Sequence, residues 1–411
     1  MKQRLLLLTD APAAPLYAPR MRHLISNLAQ TGWNWIVVSE RIPAEHFTFP
    51  DCTYLPFTFY KEGNTIWNKC LWLADKLFDI KEYRLLHFVR RHVQPSDIDA
   101  IVCSSFHTFP LPAAARLARE WHLPLLIDLR DIAEQWGDTP YMQHPLHTPF
   151  GWLNRCLTRL YTRHSVRLRN KALSHAQVVT TVSPWHQDVL AKLHPDVHLI
   201  YNGYDSHTFE PKDEVSDTFD ITYTGKIYDF RLRSPQLLFQ TLETMQQQGL
   251  LPSTLHVHFY CEPTIHAALQ ELAEQYHISH LVHIHSYVPQ NRITPLLHQS
   301  SICLLLTNKA SSSGPHGILT TKFFEALGVE KPVLCVRSDE ECLARVIRDT
   351  NAGIAAASVA EVQAFILDKY REWQHRGYTR QPVNAEQKQL FTRRRQAQQF
   401  ESLFLKLLNE R

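Results

Sequence analysis

At 411 residues the chain exceeds what one hydrophobic core usually organises, and 44% hydrophobic residues are enough to furnish two cores. The 43 Lys and Arg against 40 Asp and Glu leave a net charge of +3, which excludes a protein that works through bulk charge, such as a nucleic-acid coat. Eight cysteines form no CxxC pair and no Cys/His cluster at zinc spacing, and Cys103, Cys303 and Cys335 fall inside apolar runs, as small buried hydrophobes of a reducing cytoplasm do. No apolar run approaches the roughly 20 residues that a membrane-spanning helix needs, so any membrane contact is expected to be peripheral.

The start, MKQRLLLLTDAP, has a basic flank but too short an apolar stretch for a signal-peptide core, and it reads as a first strand. Strand-like runs follow at Trp35 to Ser39, Ala100 to Cys103, Leu125 to Asp128 and Val178 to Val182. Helical stretches fill the gaps: Pro19 to Gln30 is stopped by Gly32, and Pro112 to Trp121 ends before Pro124. Two stretches, 66–93 and 150–173, join aromatic residues to cations, and the second holds Arg155, Arg159, Arg163, Arg167, Arg169 and Lys171 with no acidic residue. Such segments either bury their apolar sides in the first domain or lie on an anionic membrane surface.

Residues 206–218 are polar and aperiodic, a candidate linker. Alternation then restarts, with strands at Ile221 to Thr224, His256 to Tyr260, Val282 to His285, Ile302 to Thr307 and Val333 to Val336 defining a second sheet. The whole pattern is that of parallel α/β architecture. The last stretch, Phe391 to Arg411, puts Phe400, Leu403, Phe404, Leu407 and Leu408 on one helical face that needs a surface to bury it. No G-x-G-x-x-G follows the first strand, so the dinucleotide fingerprint is missing.

Residues 301–335 carry the most chemistry. Two buried strand runs flank a Ser/Gly loop and a helix read at Thr320 to Leu327, with Thr320 and Thr321 as capping residues. Backbone N–H groups of such a helix start point into the preceding loop, where the dipole favours an anion; Gly317, Leu319, Thr320 and Thr321 lie along that approach. Lys322 adds a point charge, and Glu325, one turn deeper, can accept from a ribose diol. The alternative is an ordinary βαβ unit whose loop binds nothing. Asp97 and Asp99 form a D-x-D at a strand entrance, where solvation is the expected role, and no metal site is expected.

Motifs in a shared order then point to a family. RMRHLISNLAQTGWNWIVV (Arg20 to Val38) resembles a first helix running into "GheV" and a second strand; IDLRDIAEQW (Ile127 to Trp136) resembles "DlRDlwp"; VVTTVS (Val178 to Ser183) resembles "vitvS". IYNGYD (Ile200 to Asp205) resembles the "pNGvD" crossover, YTGKIYDFRLRSP (Tyr223 to Pro235) a phosphate-clamping loop, and KFFEALGVEKPVL (Lys322 to Leu334) "KlfEylalgkPil". Together they resemble the GT-B glycosyltransferases, specifically the retaining family 4 group. Three places depart from the pattern. The loop Ala11 to Pro19 reads APAAPLYAP where Gly-Gly is usual, Gly317 stands eight before Glu325 where a second glutamate is frequent, and His107 in SSFHTFP is only a candidate for the usual histidine.

The resemblance implies two Rossmann-like parallel-sheet domains facing a cleft, with the C-terminal helix packing back on the N-terminal domain. Residues 1–205 with 386–411 are the expected acceptor-binding domain, and 206–385 the nucleotide-sugar donor domain. It implies no cofactor beyond a nucleoside-diphosphate sugar used as substrate. Lys226, Arg231 and Arg233 are expected to meet the diphosphate opposite the Thr320 to Lys322 helix start, with Tyr287 and Val288 near the nucleobase and Glu325 on the ribose. Asp131 and His107 are expected to orient the acceptor hydroxyl, while Asp128 caps the following turn. The implied activity is metal-independent sugar transfer with retention to a sugar or lipid-linked acceptor, in surface polysaccharide or glycolipid assembly. Such an enzyme would be cytoplasmic, with a possible peripheral place on the inner membrane face. A nucleotide-sugar epimerase and a non-catalytic binding protein of the same fold are the alternatives.

Overall fold

The computed structural model describes residues 3–11, 18–41, 51–61, 63, 65–136, 150–307, 316–336 and 341–409. Most of the APAAPLYAP loop and residues 308–315 of the Ser/Gly loop lie outside the described residues. The chain forms two compact units, Met1–Tyr201 with Arg394–Arg411, and Asn202–Arg393.

The first unit is built on seven parallel strands: β1 (Arg4–Thr9), β2 (Asn34–Glu40), β3 (Thr53–Phe57), β4 (Ala100–Ser105), β5 (Leu125–Leu129), β6 (Val178–Thr181) and β7 (Val197–Leu199). Their order is β3-β2-β1-β4-β5-β6-β7. Leu5, Leu6, Leu7 and Leu8 are fully buried because β1 sits at the centre with helices on both faces, which is why its sequence is continuously apolar. The second unit has six parallel strands, β8 (Phe219–Thr224), β9 (Leu255–Tyr260), β10 (Val282–His285), β11 (Ile302–Leu306), β12 (Val333–Val336) and β13 (Gly353–Ala356), in the order β10-β9-β8-β11-β12-β13. In each sheet the chain reverses direction of growth at its first strand. Crevices at the carboxyl ends of β1/β4 and of β8/β11 are therefore where this topology leaves room for ligands.

Strands β3, β7 and β13 escape the sequence pattern, and all three are sheet edges. β3 carries Pro56, β7 has three residues, and none shows a continuous buried run. The stretch 66–93 is two helices, Thr65–Phe78 and Ile80–His92, because Asp79 adopts φ +51 between them. Residues 206–218 form no helix or strand, yet they are not a free linker: Phe209 is buried within the second unit.

The helix Arg393–Asn409 finds the surface its stripe requires. Phe400, Phe404 and Leu407 are buried, and the Phe404 ring packs 5.6 Å from Trp33 and 5.9 Å from Trp35. Arg20 joins this layer to the sheet: its guanidinium lies 5.0 Å from the Phe400 ring centroid and donates to both oxygens of buried Asp128, at 3.2 and 3.0 Å. Asp128 also accepts from Ser104 (2.9 Å) and Thr180 (2.7 Å), so it is a buried hub tying β4, β5 and β6 to the first helix, Pro19–Ala29, in place of the expected turn cap.

Candidate functional site

In the second unit β8 ends at Thr224 and is followed by Gly225 at φ +128, a conformation that L side chains rarely adopt. A second reason for glycine is spatial. The Cε and Nζ of Lys322 occupy the space a Cβ would need, so a cation from the helix Thr321–Val329 is laid directly across the strand end. Burial and the neighbouring Arg233 both pull the Lys322 ammonium below its ordinary pKa, while Glu325 and Glu262 oppose the shift. Glu325, on the same helix face, is pushed up by burial and held back by Lys322 and Arg393.

The loop after Gly225 brings two more cations to the same strand end. The carbonyl of Lys226 accepts from the Tyr223 hydroxyl at 2.9 Å and from the Arg233 guanidinium. The exposed Tyr228 ring then lies against both side chains, 4.6 Å from Lys226 Nζ and 5.1 Å from the Arg233 guanidinium carbon. Buried Glu262 holds the loop from beneath, accepting from the Ile227 N–H at 2.9 Å and from the Tyr287 hydroxyl at 3.3 Å. Lys226, Arg233, Lys322 and Tyr287 are thus brought together, with half-buried Val288 beside Tyr287. Arg231 is not: its side chain is 91% exposed and paired to Asp229 at 2.9 Å.

Thr320 stands at the N-cap of the Thr321–Val329 helix, but its hydroxyl makes no capping hydrogen bond, and Thr321 is the first helical residue. The expected side-chain cap is therefore absent, although the Thr320 carbonyl accepts from the Phe323 N–H at 3.1 Å. Leu319 is buried beneath this approach, and Gly317 adopts φ +69, which explains glycine where a glutamate was a possibility.

In the first unit the carboxyl ends of β1, β4 and β5 gather another polar group. Asp10 accepts from the Phe106 N–H at 2.7 Å and pairs with buried Arg130, whose guanidinium stacks 3.5 Å from the Phe106 ring centroid. His107 and Asp131 both line a cavity of about 10 Å³, room for about one water. Burial pushes the Asp131 carboxyl up to about 6, against the Gln135 amide that donates to it at 2.9 Å. Burial holds the His107 imidazole below its ordinary value, offset by Asp10. Asp97 and Asp99 lie at the opposite end of β4, where Asp99 accepts from the Arg4 N–H at 2.7 Å. Among the described residues, no group of three or more His, Cys, Asp or Glu side chains is arranged to hold a metal ion.

Residues 17–203 match the family described as Glycosyl transferase 4-like domain. Solved structures match over the whole chain: sucrose-phosphate synthase from Thermosynechococcus elongatus (14% identity, 100% of both chains, TM-score 0.67), a glycosyltransferase from Rickettsia africae (11%, 99% of both, 0.62), and Anabaena Alr3699/HepE in complex with UDP-glucose (14%, 98% of this chain and 99% of that one, 0.62). The two units have the GT-B fold, and the glycosyl transferase 4-like match covers residues 17–203. No curated protein matches it. In this GT-B chain the sequence reading missed Gly225, Glu262 and the Asp10–Arg130 pair. Gly225 alone carried a signal, as a glycine placed directly after a buried strand and before a lysine. Glu262 and Asp10 become polar anchors only once β8 is set beside β9, and β1 beside β4 and β5.

Proposed function

We propose that this chain transfers a sugar from a nucleoside-diphosphate sugar to an acceptor hydroxyl with retention, without a metal. The observation that carries the reading is Lys322 laid across Gly225 beside Arg233 and Lys226, at the helix start that follows β11. Breaking the bond from the anomeric carbon to the diphosphate oxygen leaves negative charge on that oxygen. Fixed cations and helix N–H groups stabilise it without reorganising, typically worth 10²–10³ in rate for one such donor. The acceptor oxygen bonds to the same face of the anomeric carbon, and its proton passes to the departing diphosphate, so no strong protein base is needed. Tyr287 and Val288 border the nucleobase, Glu325 takes the ribose hydroxyls, and Gly317 to Thr321 give the diphosphate backbone contact. Asp131 and His107 position the acceptor in the first unit. Arg231 is the weakest member of the set, being committed to Asp229.

The Anabaena relative is a complex with UDP-glucose, which makes uridine diphosphate the first nucleotide to try. The acceptor side points to surface polysaccharide or glycolipid assembly. Phe150, Trp152 and Leu160 on the basic helix Gly151–Leu173, and Ile66, Trp67 and Phe78 on its neighbour, are exposed, as a peripheral contact with the inner face of an anionic membrane requires. Among the described residues no helix is long and apolar enough to cross a membrane.

The test is a panel of nucleoside diphosphates in a thermal melt, because a ligand that binds only the folded state raises the melting temperature. One nucleotide is expected to stabilise the protein, and Arg233→Ala and Glu325→Ala each to weaken that effect. Unchanged nucleotide affinity in both variants would falsify the placement. Sedimentation with anionic vesicles at low salt tests the membrane contact, and no binding there removes it.

A further inference from the structure

The first unit contains a second cavity, lined by other residues than the one that holds His107 and Asp131. It measures about 250 Å³ and opens between three helices, Ile80–His92, Leu111–Trp121 and Gly151–Leu173. Its floor is Glu82, buried and accepting the Ala113 N–H at 3.0 Å through Oε2, with its other oxygen bonded to no described residue. Arg116 and Arg119 from the second of these helices, and Lys171 and His175 at and just beyond the end of the third, line it as well. Arg116 is committed to Glu120 at 2.9 Å, but Arg119 and Lys171 are exposed and, among the described residues, meet no carboxylate. The other acid among the described lining residues, Asp79, is hydrogen-bonded to His164 at 2.9 Å.

Arg119 and Lys171 line one opening with no carboxylate of the described residues against them, which favours an anion there. We propose that this cavity binds a phosphate-bearing ligand, either the headgroup of an anionic lipid or a free phosphate ester, through Arg119 and Lys171. Arg119 offers the planar fork and Lys171 the point charge that phosphate oxygens accept. Burial pushes the Glu82 carboxyl on the cavity floor up to about 8, which favours the neutral form that an anion tolerates. The volume suits a headgroup, since it holds a small polar molecule and no more. Leu77 and Phe78, both exposed, immediately precede Asp79 at the cavity mouth, and Tyr83 lines the mouth itself. These are the apolar contacts that an acyl-glycerol stem would use. The cavity lies in the unit that does not contain Lys322, so it stands independently of the nucleotide assignment.

The experiment uses the full chain and three probes: inorganic phosphate, sn-glycerol 3-phosphate, and phosphatidylcholine vesicles with and without phosphatidylglycerol. Wild type is expected to gain several degrees of melting temperature in millimolar glycerol phosphate or inorganic phosphate, or to co-sediment at least tenfold better with the phosphatidylglycerol vesicles. The first result assigns a free phosphate ester, the second a headgroup, and both together the shared chemistry. Arg119→Glu combined with Lys171→Glu removes the response while leaving the nucleoside-diphosphate shift intact; Arg155→Glu combined with Arg159→Glu, equal in charge but away from the cavity, keeps the soluble-phosphate shift. The proposal is overturned if no probe binds. It is equally overturned if the cavity variant responds like wild type, or if both double variants lose the soluble-phosphate shift alike.

Discussion

The side chain of Lys322 fills the space where Gly225 lacks a Cβ, so a cation from the second half of the unit rests on the end of its first strand. Any side chain at 225 meets both the Lys322 stem and a backbone held at φ +128. Lys322 has a flexible end and can swing aside, so Gly225→Ala is expected to fold but to misplace the charge. If Lys322 faces the diphosphate, nucleoside-diphosphate affinity in the variant drops at least tenfold, about 1.4 kcal/mol. Titration calorimetry of both proteins with the stabilising nucleotide measures this, and equal dissociation constants would show that Lys322 does not face the diphosphate.

Arg20 and Asp128 form a buried pair with two hydrogen bonds, and each has further partners, Tyr201 O for Arg20 and the Ser104 and Thr180 hydroxyls for Asp128. Removing one partner leaves the other charge uncompensated in the core. Arg20→Met is expected to lower unfolding stability by about 3–5 kcal/mol. Combining it with Asp128→Asn recovers part of the loss, because no unpaired charge then remains. Urea denaturation of the two single variants and the double variant decides the matter, with additive losses counting against the pair.

The central strands were legible because burial on both faces demands unbroken apolar runs, as in Leu5 to Leu8 and Ile302 to Leu306. Edge strands face water in part, and Pro56 in β3 disguises one further. The site was legible where it is local: Lys322 and Glu325 share one helix, and Lys226 and Arg233 one loop. It was opaque where two distant segments meet. Nothing near Asp128 announces Arg20, and nothing near Glu262 announces the Ile227 N–H and the Tyr287 hydroxyl that it holds. The same blindness turned Asp128 from a hub into an expected cap.

Gly328 lies inside the Thr321–Val329 helix, where alanine is ordinarily favoured by about 1 kcal/mol. Here a Cβ would stand 2.7 Å from Phe209 Cβ and 2.8 Å from Tyr204 Cδ2, with the Phe209 carbonyl oxygen at 3.0 Å. The neighbours are a buried ring stem and backbone, neither of which yields cheaply. Overpacking typically costs 1–3 kcal/mol, so Gly328→Ala is expected to destabilise despite its helix propensity. A lowered melting temperature for the variant is the outcome to look for; a raised one means that the crossover segment can move.

Glu82 ties stability to pH. Burial pushes its carboxyl from 4.5 to about 8 in the folded chain, opposed by the Ala113 N–H. Between those values the folded state holds a proton that the unfolded state has released, so stability falls as pH rises and the neutral carboxyl's contribution is lost through about pH 8. Glu82→Gln keeps the acceptor for the Ala113 N–H and has no proton to lose. The variant is therefore expected to match wild type near pH 4.5 and to exceed it at pH 8, by on the order of a few kcal/mol. Denaturant melts at pH 5, 6.5 and 8 give the comparison, and parallel pH profiles for the two proteins would mean that Glu82 is ionised in the fold.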